Sequence, residues 1–91
     1  MEEAEKNVVI CNRLGLHARA AGLFRRTAAG FKADIQVVRG EITANAKSLL
    51  GLMALEASQG TRLLVRARGS DARHAVDALD ELVRARFGES E

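Results

Sequence analysis

The spacing of apolar residues changes repeatedly along this chain, and this alternation is the strongest constraint on its fold. Apolar side chains recur at every second residue in a strand with one buried face, and at every third or fourth residue in a helix. Both spacings occur in turn within 91 residues, a length that supports one hydrophobic core. We therefore predict a single domain over residues 1–91 that mixes strands with helices.

Four segments have the pattern of strands. Residues 8–11 form a short apolar run, and residues 34–39 and 41–44 show period-two alternation on either side of Gly40. A glycine in so short a connection is typical of a hairpin turn. Residues 62–68 alternate between apolar and mainly charged side chains, which predicts a strand with one polar face.

Three segments have the pattern of helices. Residues 18–29 carry alanine and phenylalanine at helical spacing, and Gly30 suits the C-terminal end. Ser48 precedes a run rich in leucine, which is typical of a helix N-cap, and Gly60 closes that stretch. A last helix opens at Asp71 and has the most regular apolar stripe of the chain: Ala72, Ala75, Val76, Leu79, Leu82 and Val83.

The order of elements is therefore β-α-β-β-α-β-α. The hairpin and the polar outer faces of the strands predict an α+β fold, an antiparallel sheet with helices packed on one side. The order alone also permits a ferredoxin-like sheet, a fold that many unrelated functions share.

Composition narrows the classes of function. The formal net charge is only +2, and there is no Tyr or Trp and only three Phe, so no nucleic-acid partner and no base-stacking surface are expected. No apolar run approaches the length of a membrane span, and the acidic N-terminus does not resemble a secretory signal. The single cysteine fits a reducing compartment. We expect a cytoplasmic monomer that does not insert into membranes.

One segment carries the residues for a chemical step, GLHARAA at residues 15–21. His17 falls where the first helix begins, and the unpaired amides of a helix start favour anions and a neutral imidazole, its nucleophilic form. Arg19 is close enough in sequence to contact an oxygen attached to the His17 ring, and a guanidinium is suited to phosphate. The pattern points to phosphoryl transfer. A surface histidine beside a solvated arginine is the alternative interpretation of the same residues.

Two motifs together resemble a known family. GLHARAA resembles the active-site signature of HPr, the histidine-containing phosphocarrier of the bacterial phosphoenolpyruvate-dependent phosphotransferase system, and NAKSLLGLM at residues 45–53 resembles its second signature. Their separation and the order of elements also fit, over residues 6–87. The family usually has proline where this chain has Ala20, which leaves open how efficiently the chain works and with which partners.

The resemblance implies a fold and a set of roles. The fold is an open-faced sandwich, βαββαβα, with three helices on one side of a four-stranded antiparallel sheet. His17 is implied to accept a phosphoryl group on Nδ1 from enzyme I and to pass it to an enzyme II A-type domain, with Arg19 contacting the group. Ser48 is implied as the residue that HPr kinase/phosphorylase modifies in some bacteria. Such a chain is a carrier with a phosphohistidine intermediate rather than a stand-alone enzyme, and no cofactor or metal is expected.

The second motif also predicts a docking surface. A short helix needs fewer apolar residues for one buried stripe than this segment supplies, so some should be exposed and bind partners. We assign the docking surface to Leu49, Leu50, Leu52 and Met53. Ser48 has two open interpretations, a cap only or a cap that also regulates docking when phosphorylated.

His74 and Cys11 lie outside the two motifs. His74 is predicted to be a solvated residue of the last helix and Cys11 to be buried packing, without the ligand spacing of a metal site. Three alternatives to a carrier for sugar uptake remain open. They are a nitrogen-branch carrier, a regulatory binding module that keeps the HPr-like fold, and a ferredoxin-like domain that binds small molecules or RNA.

Overall fold

The computed structural model describes residues 2–91 and contains the predicted sequence of strands and helices. The elements in chain order are β1 (Glu3–Val9), α1 (Ala18–Ala29), β2 (Asp34–Arg39), β3 (Ile42–Asn45), α2 (Leu49–Ala54), β4 (Arg62–Arg68) and α3 (Ala72–Arg84). A short 3-10 turn over Arg86–Gly88 follows α3. The predicted order β-α-β-β-α-β-α is thus confirmed.

The four strands form one antiparallel sheet in the spatial order β1-β4-β2-β3. β4 lies between strands from distant parts of the chain: Val65 is opposite Lys6 of β1 on one side and Val37 of β2 on the other. The hairpin pairs Val37 with Ala44 across the Gly40 turn. This arrangement confirms the α+β fold, an open-faced sandwich with a four-stranded antiparallel sheet.

The two faces of the sheet differ in polarity, which places the core. Ile35, Val37, Leu63 and Val65 point toward the helices and are at most 2% exposed. Burying a side chain of this size contributes roughly 1.5–3 kcal/mol. The opposite face carries polar and charged side chains, and Arg66 there donates to Gln36 at 2.9 Å. The three helices therefore cover one face, and the other face meets solvent.

Several predicted boundaries agree with the structure, and the first strand differs. α1 and β2 have the predicted ends. β1 begins five residues before the predicted Val8, at Glu3, because alternate residues of its polar first half face the core and Ala4 is buried there. The prediction that Cys11 is buried is wrong: the side chain is exposed. Val8 and Ile10 occupy the buried positions, so the alternation turns Cys11 outward, and its thiol donates to the Val83 carbonyl oxygen at 3.2 Å.

The chain after α3 folds back onto the molecule. Phe87 has φ of 53° and is 2% exposed. A left-handed backbone costs a phenylalanine free energy, and burial of a large aromatic side chain offsets that cost. The buried ring therefore fixes the direction of residues 88–91.

The loop before α1 is held against the loop before β4. The Leu16 amide donates to the Ala57 carbonyl oxygen at 2.8 Å. Gly15 has φ of +69°, and a Cβ there would lie 2.6 Å from that same oxygen and 2.9 Å from the Ser58 Cα. Only glycine permits this approach, which sets where α1 begins.

We predict that Gly15→Ala is more destabilising than Gly40→Ala. Both glycines have positive φ, but a Cβ at Gly40 would meet nothing within 4 Å. Gly40→Ala should therefore cost only the backbone strain, about 1–2 kcal/mol. Gly15→Ala adds a backbone clash, and we expect a loss above about 2 kcal/mol. Urea unfolding of the two variants measures the difference, and equal losses would contradict the close packing of the loops.

Candidate functional site

His17 is the residue that begins α1. Its backbone is extended (φ −72°, ψ 179°), and its carbonyl oxygen accepts the first helical hydrogen bond, from the Ala21 amide at 2.7 Å. The ring does not cap the helix, and 29% of the side chain is exposed. The amides of the first turn have no helical acceptor, so His17 lies beside a cluster of N–H groups as predicted.

The ring of His17 contacts a carboxylate from the C-terminal segment. Its Nε2 lies 2.6 Å from Oε2 of Glu89. Arg19 donates through one guanidinium nitrogen to that same oxygen and, at 2.9 Å, to the Phe87 carbonyl oxygen. His17 and Arg19 are thus brought together as predicted, within reach of one anionic oxygen.

Asn12 holds the other oxygen of this carboxylate. Its side chain is fully buried, and Nδ2 donates to Oε1 of Glu89 at 2.9 Å and to the Gly15 carbonyl oxygen at 2.8 Å. Both partners are acceptors, which fixes the amide orientation with nitrogen toward them. Oδ1 of Asn12 has no hydrogen-bond partner among residues 2–91.

These donors make Glu89 a strongly acidic group. Hydrogen bonds from Asn12, His17 and Arg19, in that order of size, lower the pKa of the Glu89 carboxyl from 4.5 to about 2. The group is therefore a carboxylate near neutral pH and can only accept hydrogen bonds. A neutral His17 ring that meets it must carry its proton on Nε2, which leaves the lone pair on Nδ1.

Ser48 caps the second helix, as predicted. Its Oγ accepts from the Gly51 amide at 3.1 Å, and its carbonyl oxygen accepts from the Leu52 amide at 3.0 Å. A Cβ at Gly51 would lie 3.2 Å from this Oγ, so the glycine leaves room for the serine side chain. Ser48 is half-buried beside the start of α2.

The apolar residues of α2 divide into a buried and an exposed set. Leu50 is 80% exposed, Met53 40% and Leu49 38%; we call these three residues the α2 patch. Leu52 is fully buried, so its assignment to the docking surface is wrong. Helical spacing puts Leu52 on the side of α2 that also carries the buried Leu55, toward the core.

The second histidine of the chain, His74, lies apart from this site. His74 is exposed on α3, as predicted. Among residues 2–91, no three or more His, Cys, Asp or Glu side chains are grouped in a way that could hold a metal ion. Within the same residues, no helix has both the length and the apolar character that crossing a membrane requires.

Sequence reasoning missed Asn12, Phe87 and Glu89. Glu89 is 72 positions from His17 and 77 from Asn12, and no periodic pattern reports contacts over such separations. The single large apolar residue in the polar segment after α3, Phe87, is the one local signal that this segment docks.

The chain is similar in sequence to proteins of one known family. The sequence model described as "PTS HPr component phosphorylation site" matches residues 4–85. The chain belongs to the HPr family. Among curated HPr-family relatives, phosphocarrier protein NPr of Shewanella violacea is 46% identical over 90 residues, with 99% of each chain covered. Phosphocarrier protein HPr of Neisseria meningitidis serogroup A is 40% identical over 87 residues, covering 96% of this chain and 98% of the relative.

A solved HPr structure agrees over the whole length. The crystal structure of HPr-C-His from Thermoanaerobacter tengcongensis has a TM-score of 0.91 and 41% identity, with 100% of both chains covered. The chain is thus an HPr-type phosphocarrier of the phosphotransferase system. The ferredoxin-like alternative is thereby set aside.

We predict that the Glu89 contacts make stability fall in acid. The folded protein holds the pKa of Glu89 near 2, whereas its ordinary value is 4.5, so between these values the unfolded chain binds more protons. The free energy of unfolding should therefore decrease as pH falls from about 4.5 to 2, and less steeply for Glu89→Gln. Denaturant unfolding at a series of pH values checks this, with Glu91→Gln as the control. Identical pH profiles for wild type and Glu89→Gln would contradict it.

Proposed function

We propose that this chain accepts a phosphoryl group from enzyme I on Nδ1 of His17 and passes it to a histidine of an enzyme II A-type domain. The observation that carries the proposal is the start of α1, where His17 lies among free helix amides and shares an anionic oxygen with Arg19. Helix amides and a guanidinium stabilise the negative charge of a moving phosphoryl group.

The proposed step needs no group beyond the two proteins. The Nδ1 lone pair of His17 forms a bond to phosphorus while the bond between phosphorus and the phosphorylated atom of enzyme I breaks. The electron pair of the broken bond stays with that atom, and His17 keeps its Nε2 proton. The reverse sequence at the acceptor regenerates the free carrier. In this proposal the chain is a cytoplasmic, monomeric carrier rather than an enzyme that turns over alone.

Arg19 contacts the phosphoryl group in this proposal. Among residues 2–91, its hydrogen bonds use only Nη2, and 51% of the side chain is exposed. A guanidinium has five N–H donors, so the remaining donors are available to an incoming oxygen. The presence of both His17 and Arg19 at one anionic oxygen speaks against a purely regulatory binding module, which would need neither residue.

A nitrogen-branch carrier is the second candidate. The observation that favours it is the 46% identity to a relative called phosphocarrier protein NPr. Both candidates use His17 in the same way, and they differ in the proteins that donate and accept the group. Offering the chain enzyme I from each branch and comparing the initial rates of phosphorylation separates them.

His17→Ala should accept no phosphoryl group from phosphoenolpyruvate and enzyme I, because it lacks the nucleophile. Intact mass measured without acid treatment should show one added phosphoryl group on the wild type and none on the variant. His74→Ala is the matched control, since His74 is exposed on α3, and it should be labelled like the wild type. Full labelling of His17→Ala would refute the site.

The α2 patch is the proposed docking surface, and Ser48 is its proposed regulator. Phosphorylation by an HPr kinase/phosphorylase would add charge of about −1.5 to −2 at the N-cap. Because Leu49, Leu50 and Met53 follow within five residues and are exposed, that charge would have to be desolvated when a partner covers the patch. Docking to enzyme I would weaken as a result.

Ser48→Asp should fold normally and bind enzyme I more weakly. Aspartate preserves a good N-cap, while its charge lies beside the patch. We expect the dissociation constant measured by calorimetry to rise several-fold, about 1.4 kcal/mol for each factor of ten. Ser70→Asp is the matched control, because Ser70 is an exposed serine just before α3. Equal affinity of Ser48→Asp and wild type would contradict the regulatory role.

A further inference from the structure

We propose that Glu89 is a positioning residue for phosphoryl transfer, held by Asn12 and in turn orienting the His17 ring with Nδ1 outward. This inference rests on the proposed function. Glu89 lies outside residues 4–85, which match the family, and the contacts run in series: Asn12 Nδ2 to Oε1, then Oε2 to His17 Nε2.

The carboxylate is held from several sides. Asn12 is fully buried, and its Nδ2 donates to Oε1 of Glu89 and to the Gly15 carbonyl oxygen. The buried Phe87 ring fixes the chain two residues before Glu89, and Arg19 binds both the Phe87 carbonyl oxygen and Oε2 of Glu89. Only 15% of the Glu89 side chain is exposed. A carboxylate so constrained can select one orientation of a neighbouring ring.

The contact selects the reacting nitrogen. A carboxylate can only accept, so a hydrogen bond of 2.6 Å to Nε2 requires the proton there. The neutral ring then has its lone pair on Nδ1, the atom that forms the new bond to phosphorus. In catalytic triads, likewise, a carboxylate orients a histidine ring and fixes which ring nitrogen carries the proton.

The same carboxylate stabilises the phosphorylated ring. With phosphorus on Nδ1 and a proton on Nε2, the imidazole is a cation, and Oε2 of Glu89 is in contact with it. The phosphoryl oxygens lie on the opposite side of the ring, farther from the carboxylate. The hydrogen bond from Nε2 to Oε2 of Glu89 then joins a cation to a carboxylate, and such charge-assisted bonds are about twice as strong as neutral ones. Glu89 should therefore assist transfer to His17.

The test compares Glu89→Ala with Glu91→Ala. Glu91 is a matched control in the same segment, since its side chain is 71% exposed and, within residues 2–91, forms an ion pair only with Arg13. Nitrogen NMR of the His17 ring needs no partner protein. In wild type and Glu91→Ala we expect a protonated Nε2 whose proton is protected from solvent exchange; in Glu89→Ala that proton should exchange rapidly. Unchanged ring signals in Glu89→Ala would overturn the proposal.

The kinetic half of the test uses phosphoenolpyruvate and enzyme I. We expect Glu89→Ala to accept the phosphoryl group on the order of tenfold more slowly than wild type and Glu91→Ala. An equal rate would overturn the positioning role, and so would a faster rate, which would identify Glu89 as an anion that competes for Arg19. A wild type that accepts no phosphoryl group would refute the proposed function instead, and the ring signals still report on the His17–Glu89 contact.

Discussion

The pairing of β4 with both β1 and β2 is the constraint on which the rest of the structure depends. β1 comes from the start of the chain, so its pairing with β4 closes a loop of more than fifty residues. It also fixes which end of the sheet the later segments reach. α3 leaves the far end of β4 and returns along the sheet, so the chain after it ends beside the loop that leads into α1. The C-terminal segment therefore meets His17 because of the strand order.

The site that results is a balance of charges around one helix start. The free amides of α1 and the guanidinium of Arg19 provide positive potential, and the carboxylate of Glu89 partly neutralises it. The same donors that bind this carboxylate lower the pKa of Glu89 to about 2, so the site holds an anion throughout the physiological range. The Glu89 carboxylate thus occupies one side of a site that is suited to bind a transferred anion. Its contact with Nε2 leaves Nδ1 of His17 unused.

Two wrong predictions, for Leu52 and for the start of β1, have one physical cause. Periodicity gives the face on which a residue lies, but burial depends on which neighbours cover that face. Leu52 belongs to a run with more apolar residues than one stripe needs, and only the packing of α2 shows that it is buried while Leu50 is exposed. β1 was placed too late because its first half is charged, although Ala4 in that half pairs with Ala67 and is buried.

The sequence by itself determined the order of elements, the ends of α1 and β2, the cap at Ser48, and the place of His17 and Arg19 at the beginning of a helix. All of these depend on interactions within a few residues, which spacing and capping preferences report directly. The tertiary structure alone decided that Asn12 and Glu89 join the site, because the contacts of Glu89 with Asn12 and with His17 span more than seventy residues. Such contacts arise only when the strand pairing has brought the two ends of the chain together.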